Sequence, residues 1–553
     1  MKMNFIRATS AATCAVLLAA CTAGNVLDVK DLNNPDVARA YSTPAGVESI
    51  IGTLYQQFNN GWNSNPAAGN IQPAAGYMSF EGFSTLANFC GNSRDAVPPN
   101  AIINDRGNSC DAENLYDFGQ FQKLARNSAN LVQAIDNIVA SNNTTGTAAE
   151  DIRDRSFAQF VVGISLGYTA IIYDSGAIVT NKVASSAIPP LSGYQALMTA
   201  ALAQIDSAIA TGGSAAAASA FPLPAAWING NGLTQTQFVQ LMHSWKARLR
   251  AGVARTPAER AAVSWASVIA DAQAGITSDL VVTVGGGWNC SFNCSTIFSG
   301  GYHEMPLMIF GMADTSGTYA TYISQPIGSR DGSQLLIQTP DLRFPQGATR
   351  AAQNTDTPIA GTTFTPGRYY SNRVSSLDVA GPGYGSSMYD HRRWLAIFRA
   401  SGVGNMVQFP KGENDMLQAE GLIYAGNFAA AQALIDASRS KHGLPSIGTI
   451  TSATQVIQGG INGCVPHVPQ PPAFTTVACG NILEAMKWEK RNETAYATYA
   501  AWFQDGRGWG DMLAGMPIQW PVPNEEMDSR QEPFYNMGGV GGAGSAAKGT
   551  YGF

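Results

Sequence analysis

Charge is what this chain has least of. Of its 553 residues only 13% are Asp, Glu, Lys or Arg, against about 25% in an ordinary globular protein. No basic run occurs and the formal net charge is −6. A nucleic-acid backbone would find few cations to bind and an acidic balance to repel it. Histidine is scarce too: His243, His303, His391, His442 and His467 are scattered. Cys290 and Cys294 have no second pair of ligands near them in sequence, which argues against a zinc site. Past the leader no apolar stretch reaches the about eighteen residues that a membrane-spanning helix needs. Gly, Ala, Ser, Thr and Asn fill the space, with 58 glycines. Such a surface is polar and weakly charged, better suited to neutral ligands than to phosphates, and nothing in the sequence calls for a cofactor.

The N-terminus is specific. Lys2 and Arg7 precede the apolar run Ala15-Val16-Leu17-Leu18-Ala19-Ala20, which ends directly on Cys21. A charged start, a short apolar stretch and small residues before the cut make a secretory signal peptide. The apolar run, about ten residues, is too short to cross a bilayer as a helix. Leu18-Ala19-Ala20-Cys21 has the lipobox pattern, in which the cysteine thiol is diacylated and becomes the new N-terminus; a plain cleavage site before an ordinary cysteine is the alternative. On the lipobox reading residues 1–20 leave, the mature chain is held to a membrane by lipid on Cys21, and it works outside the cytoplasm. Losing Lys2 and Arg7 takes the net charge from −6 to −8. Cys14 leaves with the leader. The remaining cysteines fall as three local couples, Cys90/Cys110, Cys290/Cys294 and Cys464/Cys479. An even count in an exported protein reads as disulfides, with local pairing one choice among about fifteen.

Helical periodicity dominates, so the fold class is mainly α. Residues 21–277 read as a helical region holding an aromatic loop at 59–112. Apolar spacing predicts helices from Thr43-Pro44 through Phe58, then at about 113–141, 150–173, 193–211, 234–254 and 257–274. Residues 278–410 lose the period and read as an irregular, loop-rich insertion with a few short strands, such as Leu280–Val284. A helical hairpin follows at 412–425 and 428–441, with the small-residue packing of tetratricopeptide pairs. One long helix is expected at 481–503, closing a C-terminal region of 411–536, and the glycine-rich tail of 537–553 reads as loosely ordered.

Enzyme-like strings have simpler readings. Gly163-Ile164-Ser165-Leu166-Gly167 fits the nucleophile elbow, but that motif needs an exposed serine at a strand-to-helix turn and this copy lies inside an apolar helix. Gly539 to Gly544 fits a dinucleotide loop with no helix after it. His303-Glu304 is followed by Pro306 and by no second histidine at the zinc-protease spacing. Glu484, Glu489 and Glu493 lie among Lys487, Lys490 and Arg491, the pattern of a solvated or ion-paired helix face rather than a glycosidase pair. The aromatic residues of the irregular regions are the stronger candidates for ligand contact. The residues singled out are Trp62, Tyr77, Trp288 and Tyr302, with Asn63 and Asn289 as polar neighbours.

Several blocks occur in an informative order: the lipid cysteine; Leu32-Asn33-Asn34-Pro35 before the helix through Ala45-Gly46-Val47-Glu48; Ser156 to Ile178; and the hairpin Asn414 to Gly443. The end carries Ile482-Leu483-Glu484, Lys490-Arg491-Asn492-Glu493, Ala500-Ala501-Trp502-Phe503-Gln504-Asp505, Gly508-Trp509-Gly510 and Trp520-Pro521-Val522-Pro523-Asn524-Glu525-Glu526-Met527. Together these resemble the SusD/RagB family of outer-membrane nutrient-binding lipoproteins, although the arginine usual in the 156–178 block is absent and the middle of the chain is unmatched. The resemblance implies a tetratricopeptide-like scaffold with an irregular half that carries the ligand surface. It also implies a non-catalytic protein, surface-exposed on the outer membrane, that hands an oligosaccharide or peptide to a TonB-dependent, SusC-like transporter. A lipid-anchored glycan hydrolase and a tetratricopeptide adaptor for proteins are the alternatives.

Overall fold

The computed structural model describes residues 41, 43–63, 70–84, 90–294, 296–298, 304–358, 365–374, 387–460 and 463–553. Its centre is the helix Ala148–Ile172, buried over nearly its whole length. Thr147 caps it, accepting the N–H of Glu150, and Glu150 and Asp151 put negative charge at the positive end of the helix dipole. It is the one described helix long and apolar enough to cross a bilayer, and its burial marks it as core. Asp111–Ala140 and Tyr194–Gly212 pack on either side. The crossing with Tyr194–Gly212 is close because residue 163 is glycine: a Cβ there would stand 2.9 Å from the carbonyl oxygen of Ala201 and would strike Ile205.

Gln235–Gly252 begins with a capping box, Thr234 and Gln237 each bonding the other's main chain. Trp265–Gln273 joins it to the hairpin Lys411–Tyr424 and Phe428–Lys441, which in turn packs on Ile482–Thr494. At the hairpin turn Gly426 has φ +73°, and Ala419 and Ala431 are fully buried at the crossing. The helical expectation therefore holds, with strands confined to five two-stranded ribbons among the described residues.

Some elements are shorter than their periodicity suggests. The first helix breaks at Gly52-Thr53 into Pro44–Ile51 and Leu54–Trp62, and 257–274 divides into Pro257–Ala261 and Trp265–Gln273. The long helix expected at 481–503 is two, Ile482–Thr494 and Ala501–Trp509. In the break Tyr496 and Ala500 take φ of +52° and +49°. The helix can stop there because other segments take its main-chain groups: Glu81 accepts the N–H of Tyr496, Gln72 that of Ala500, and Trp394 donates to the carbonyl of Tyr496.

The insertion closes at its neck. Leu280–Val284 pairs antiparallel with Gly404–Phe409, so the chain enters and leaves side by side. The tail is not loose: Met537–Gly538 pairs with Ala101–Ile102, and Tyr551 and Phe553 are 1% and 4% exposed. All three expected disulfides form, with Cα separations of 5.7 Å for Cys90–Cys110, 5.3 Å for Cys290–Cys294 and 5.8 Å for Cys464–Cys479. Glu484 and Glu489 of Ile482–Thr494 are ion-paired as expected, but these two glutamates and Glu493 are buried rather than solvated. Glu484 meets Lys487, Glu489 meets Arg343 at 3.0 Å, and Glu493 meets His442.

Candidate ligand cleft

At the neck of the insertion the ribbon ends in a turn. Gly285 and Trp288 exchange main-chain hydrogen bonds at 2.9 and 3.1 Å, and Gly286 and Gly287 between them have φ of +60° and +96°. Two left-handed central residues make a type I′ turn, for which glycine carries no steric penalty. The Leu54–Trp62 helix clamps this turn with amides. Asn60 donates to the carbonyl of Gly287 at 2.8 Å and accepts the N–H of Asn289 at 2.8 Å. Asn59 donates to the carbonyl of Asn289 at 3.1 Å. Asn59 in turn accepts from Asn63 at 3.3 Å and from Gln408.

Beyond the turn, Cys290–Cys294 closes a short loop, with Met406 Sδ 3.2 Å from Cys290 Sγ. Opposite stands the helix Leu395–Arg399. It ends in a Schellman motif, Gly402 donating to Ile397 and Ser401 to Phe398, with Ser401 left-handed at φ +57°. Between these two walls lies a cavity of about 580 Å³, lined by Gly285 to Ser291, Cys294, Phe398, Ser401 and Gly402. That volume lies within the range of small-molecule sites. Among the described residues no charged side chain lines it. Phe398 is 39% exposed and leans on Phe298 at 5.2 Å between ring centroids, with the Arg392 guanidinium 5.8 Å from the Phe298 ring. Trp288 is 6% exposed and packs on Tyr55. Burial pushes the Tyr55 hydroxyl well above the ordinary phenol range.

Trp288 and Asn289 thus share one cleft wall, and Asn63 reaches it through Asn59. Trp62 and Tyr77 are interior side chains, each 3% exposed; the Trp62 ring faces Tyr499 at 5.8 Å. Cys21 and Tyr302 lie outside the described residues. Phe398 and the Ser401-Gly402 turn have no counterpart among the sequence candidates. Their signal was the Ser-Gly-Val-Gly turn after a short apolar run, on the far side of the insertion from Trp288. A second cavity of about 490 Å³, between Thr315, Gln338 to Pro340, Gly347, Pro445 and Gly463, has neither a charged nor an aromatic side chain in its wall among the described residues.

The enzyme-like strings behave as structure. Ser165 is fully buried, the glycines from Gly539 to Gly544 lie in turns with no helix after them, and Glu304 is buried against Arg373 at 2.8 Å.

No protein-family model and no curated protein sequence matches the chain. Solved structures do. A SusD superfamily protein from Bacteroides thetaiotaomicron VPI-5482 superposes with a TM-score of 0.50 at 11% identity, over 88% of this chain and 97% of that one. One from Bacteroides vulgatus ATCC 8482 gives 0.49 at 11% identity over 89% and 98%. A laminarin-binding SusD-like protein gives 0.47 at 12% identity over 90% and 100%. At such identities the likeness is one of architecture, and by architecture this chain has the fold of the SusD superfamily.

Proposed function

We propose that this protein is a non-catalytic lipoprotein of the outer membrane that captures a neutral oligosaccharide and passes it to a TonB-dependent, SusC-like transporter. The observation that carries the ligand class is the cleft lining, an exposed Phe398 with Trp288, Asn289, Ser291, Ser401 and glycine main chain, and no charged side chain among the described residues. A sugar ring presents apolar C–H faces and a rim of hydroxyls, and aromatic rings with amides and hydroxyls complement both. A peptide would find the same groups, but no partner here for its terminal charges. Lipid on Cys21 supports the placement, since a tether confines the protein beside its transporter and raises the effective concentration of captured ligand there.

The test is a glycan array on the soluble chain starting at Thr22, followed by calorimetry. Phe398→Ala should weaken the ligand about 5- to 100-fold, the loss of about 1–3 kcal/mol of aromatic contact, without changing the fold. Trp288→Ala is a poorer probe because that side chain is also core. Unchanged affinity in Phe398→Ala would remove the cleft. Cleaved product that disappears with one carboxylate mutation would replace binding by hydrolysis. Anchoring is tested separately: Cys21→Ala should lose fatty-acid incorporation and leave the membrane fraction, and continued incorporation would refute it.

A further inference from the structure

Arg255 and Arg507 are deeply buried cations that stand without an acid among the described residues. Most other buried guanidiniums are matched: Arg248 meets Glu413 at 2.7 Å, Arg260 meets Glu420 at 2.6 Å, and Arg343 meets Asp341 at 2.7 Å, while Arg330 rests on the carbonyls of Gln325 and Ile323. Arg255 and Arg507 are each 2% exposed, yet among the described residues neither has a carboxylate oxygen within 4.0 Å. Arg255 donates to the main-chain carbonyls of Ala170 and Tyr173, at 2.9 and 2.7 Å, and to the amide oxygen of Gln519. Arg507 donates to the carbonyls of Ile518 and Gly252, at 2.7 and 2.9 Å. The Nε of each arginine is buried with no hydrogen-bond partner.

The acids in electrostatic reach are engaged elsewhere. Glu259 accepts from the Arg255 main chain and the Tyr194 hydroxyl, both at 2.9 Å, and Asp174 accepts from Tyr535 at 2.9 Å. Burial depresses both guanidiniums, Arg255 to about 10, and the Arg255 charge pushes Arg507 further down. Two like charges held close in a low dielectric are costly unless an anion offsets them. Both arginines line one cavity of about 260 Å³, together with Thr256, Gly510, Ser545 and Lys548. Lys548 is exposed, its ammonium 5.1 Å from the Phe474 ring.

We propose that this cavity binds a small oxyanion, held from within by Arg255 and Arg507 and at its mouth by Lys548. The chemistry is charge-assisted donation to phosphate, sulfate or carboxylate oxygens. The volume is below that of ordinary ligand pockets, so it takes the anionic group with little attached. The wall formed by residues 545–550 belongs to the C-terminal tail, so the anion would also fasten the tail to the Ala501–Trp509 helix. The site is separate from the neutral cleft, and its failure would leave glycan binding untouched.

The experiment uses the soluble chain from Thr22, titrated by calorimetry and followed by thermal melting with sulfate, inorganic phosphate and methyl glucuronide at constant ionic strength set by chloride. Saturable binding by any of the three is expected, with a higher melting temperature than in chloride. Lys548→Ala should fold normally and weaken the anion about 3- to 10-fold; Arg507→Met should abolish binding. Should Arg507→Met fail to fold, Lys548→Ala decides. Tighter binding of glucuronide than of sulfate and phosphate assigns the site to acidic sugars, and the reverse assigns it to free inorganic anions; both support it. No saturable binding of any probe at about 10 mM, a free energy weaker than about 3 kcal/mol, overturns the proposal, as does equal affinity in the wild type and Lys548→Ala.

Discussion

Glu81 and Glu420 are both fully enclosed carboxylates, and their surroundings send them opposite ways. Burial raises the carboxyl of Glu420, but Arg260 and Lys490 outweigh it and hold the group below the usual range. Glu420→Gln should therefore cost about 3 kcal/mol, because it leaves Arg260 with only Asp505, at 3.0 Å, in a buried place. Urea denaturation measures this, and a loss under about 1 kcal/mol would mean that the pair is replaceable. Burial pushes Glu81 up to about 8, with the Tyr496 N–H pulling the other way, and Asp117 likewise to about 8 against the Tyr499 hydroxyl. The sign follows. The folded chain keeps a proton that the unfolded chain, with a carboxylate pKa of about 4, gives up. The stabilisation is complete below about pH 4 and is lost as pH rises toward 8. Glu81→Gln keeps the acceptor for Tyr496, so its melting temperature should match the wild type at acid pH and exceed it at pH about 8. Parallel melting of the two across this range would refute the assignment. Of the glutamates spaced among Lys487, Lys490 and Arg491, only Glu484 finds its partner at that spacing, in Lys487. Their burial was not legible, because Glu489 and Glu493 meet Arg343 and His442 from distant segments, and Lys487 and Lys490 are themselves covered by Asp511 and Asp505.

Among elements, the helix Ala148–Ile172 was readable almost to the residue, since Thr147 caps it and its apolar residues run all round. The Gly-x-Ser-x-Gly string inside it looks like a nucleophile elbow and serves as a helix crossing. A Cβ at Gly163 meets the main chain of Ala201 and one at Gly167 meets Leu249 at 2.7 Å. Alanine gains about 1 kcal/mol of helix propensity over glycine, but a backbone oxygen cannot step aside as a flexible side chain can. Gly163→Ala should therefore be net destabilising, by about 1–3 kcal/mol; a variant that melts at or above the wild-type temperature would show that the helices separate easily. What periodicity could not reveal was where a helix ends because another segment takes over its hydrogen bonds. The 495–500 break depends on Glu81, Gln72 and Trp394, hundreds of residues away in two cases. The aromatics tell the same story. Trp62 and Tyr77 lie in stretches without strong periodicity and look like loop platforms, yet they stand on the short helices Leu54–Trp62 and Ile71–Met78 and pack inward, whereas Phe398 is exposed at the edge of a short helix.

For the molecule as a whole, the open question is whether the insertion is a separate unit or part of one core. Its neck, Leu280–Val284 against Gly404–Phe409, would allow a separate lobe. The side chains argue otherwise. Arg343 and Asp341 of the insertion enclose Glu489, Trp488 donates to Asp341 at 3.0 Å, and the Tyr370 hydroxyl donates to Asn492 at 2.9 Å. These groups are fully or nearly fully buried, so the insertion and the C-terminal helix share a polar core that neither could leave exposed. The candidate cleft lies beside the neck, where such coupling would fix the distance between Phe398 and Trp288. Arg343→Met would strand Asp341 without its cation and leave Glu489 only Arg439, at 3.9 Å, at a cost of about 3–5 kcal/mol. If the core is shared, calorimetry should show the entire melting transition moving down together, with protease sensitivity rising in the hairpin 411–441 as well as in the insertion. An additional early transition, with cleavage confined to 285–400 and the rest of the chain melting at the wild-type temperature, would instead make the insertion an independent lobe. The cleft would then be free to change width as that lobe moves.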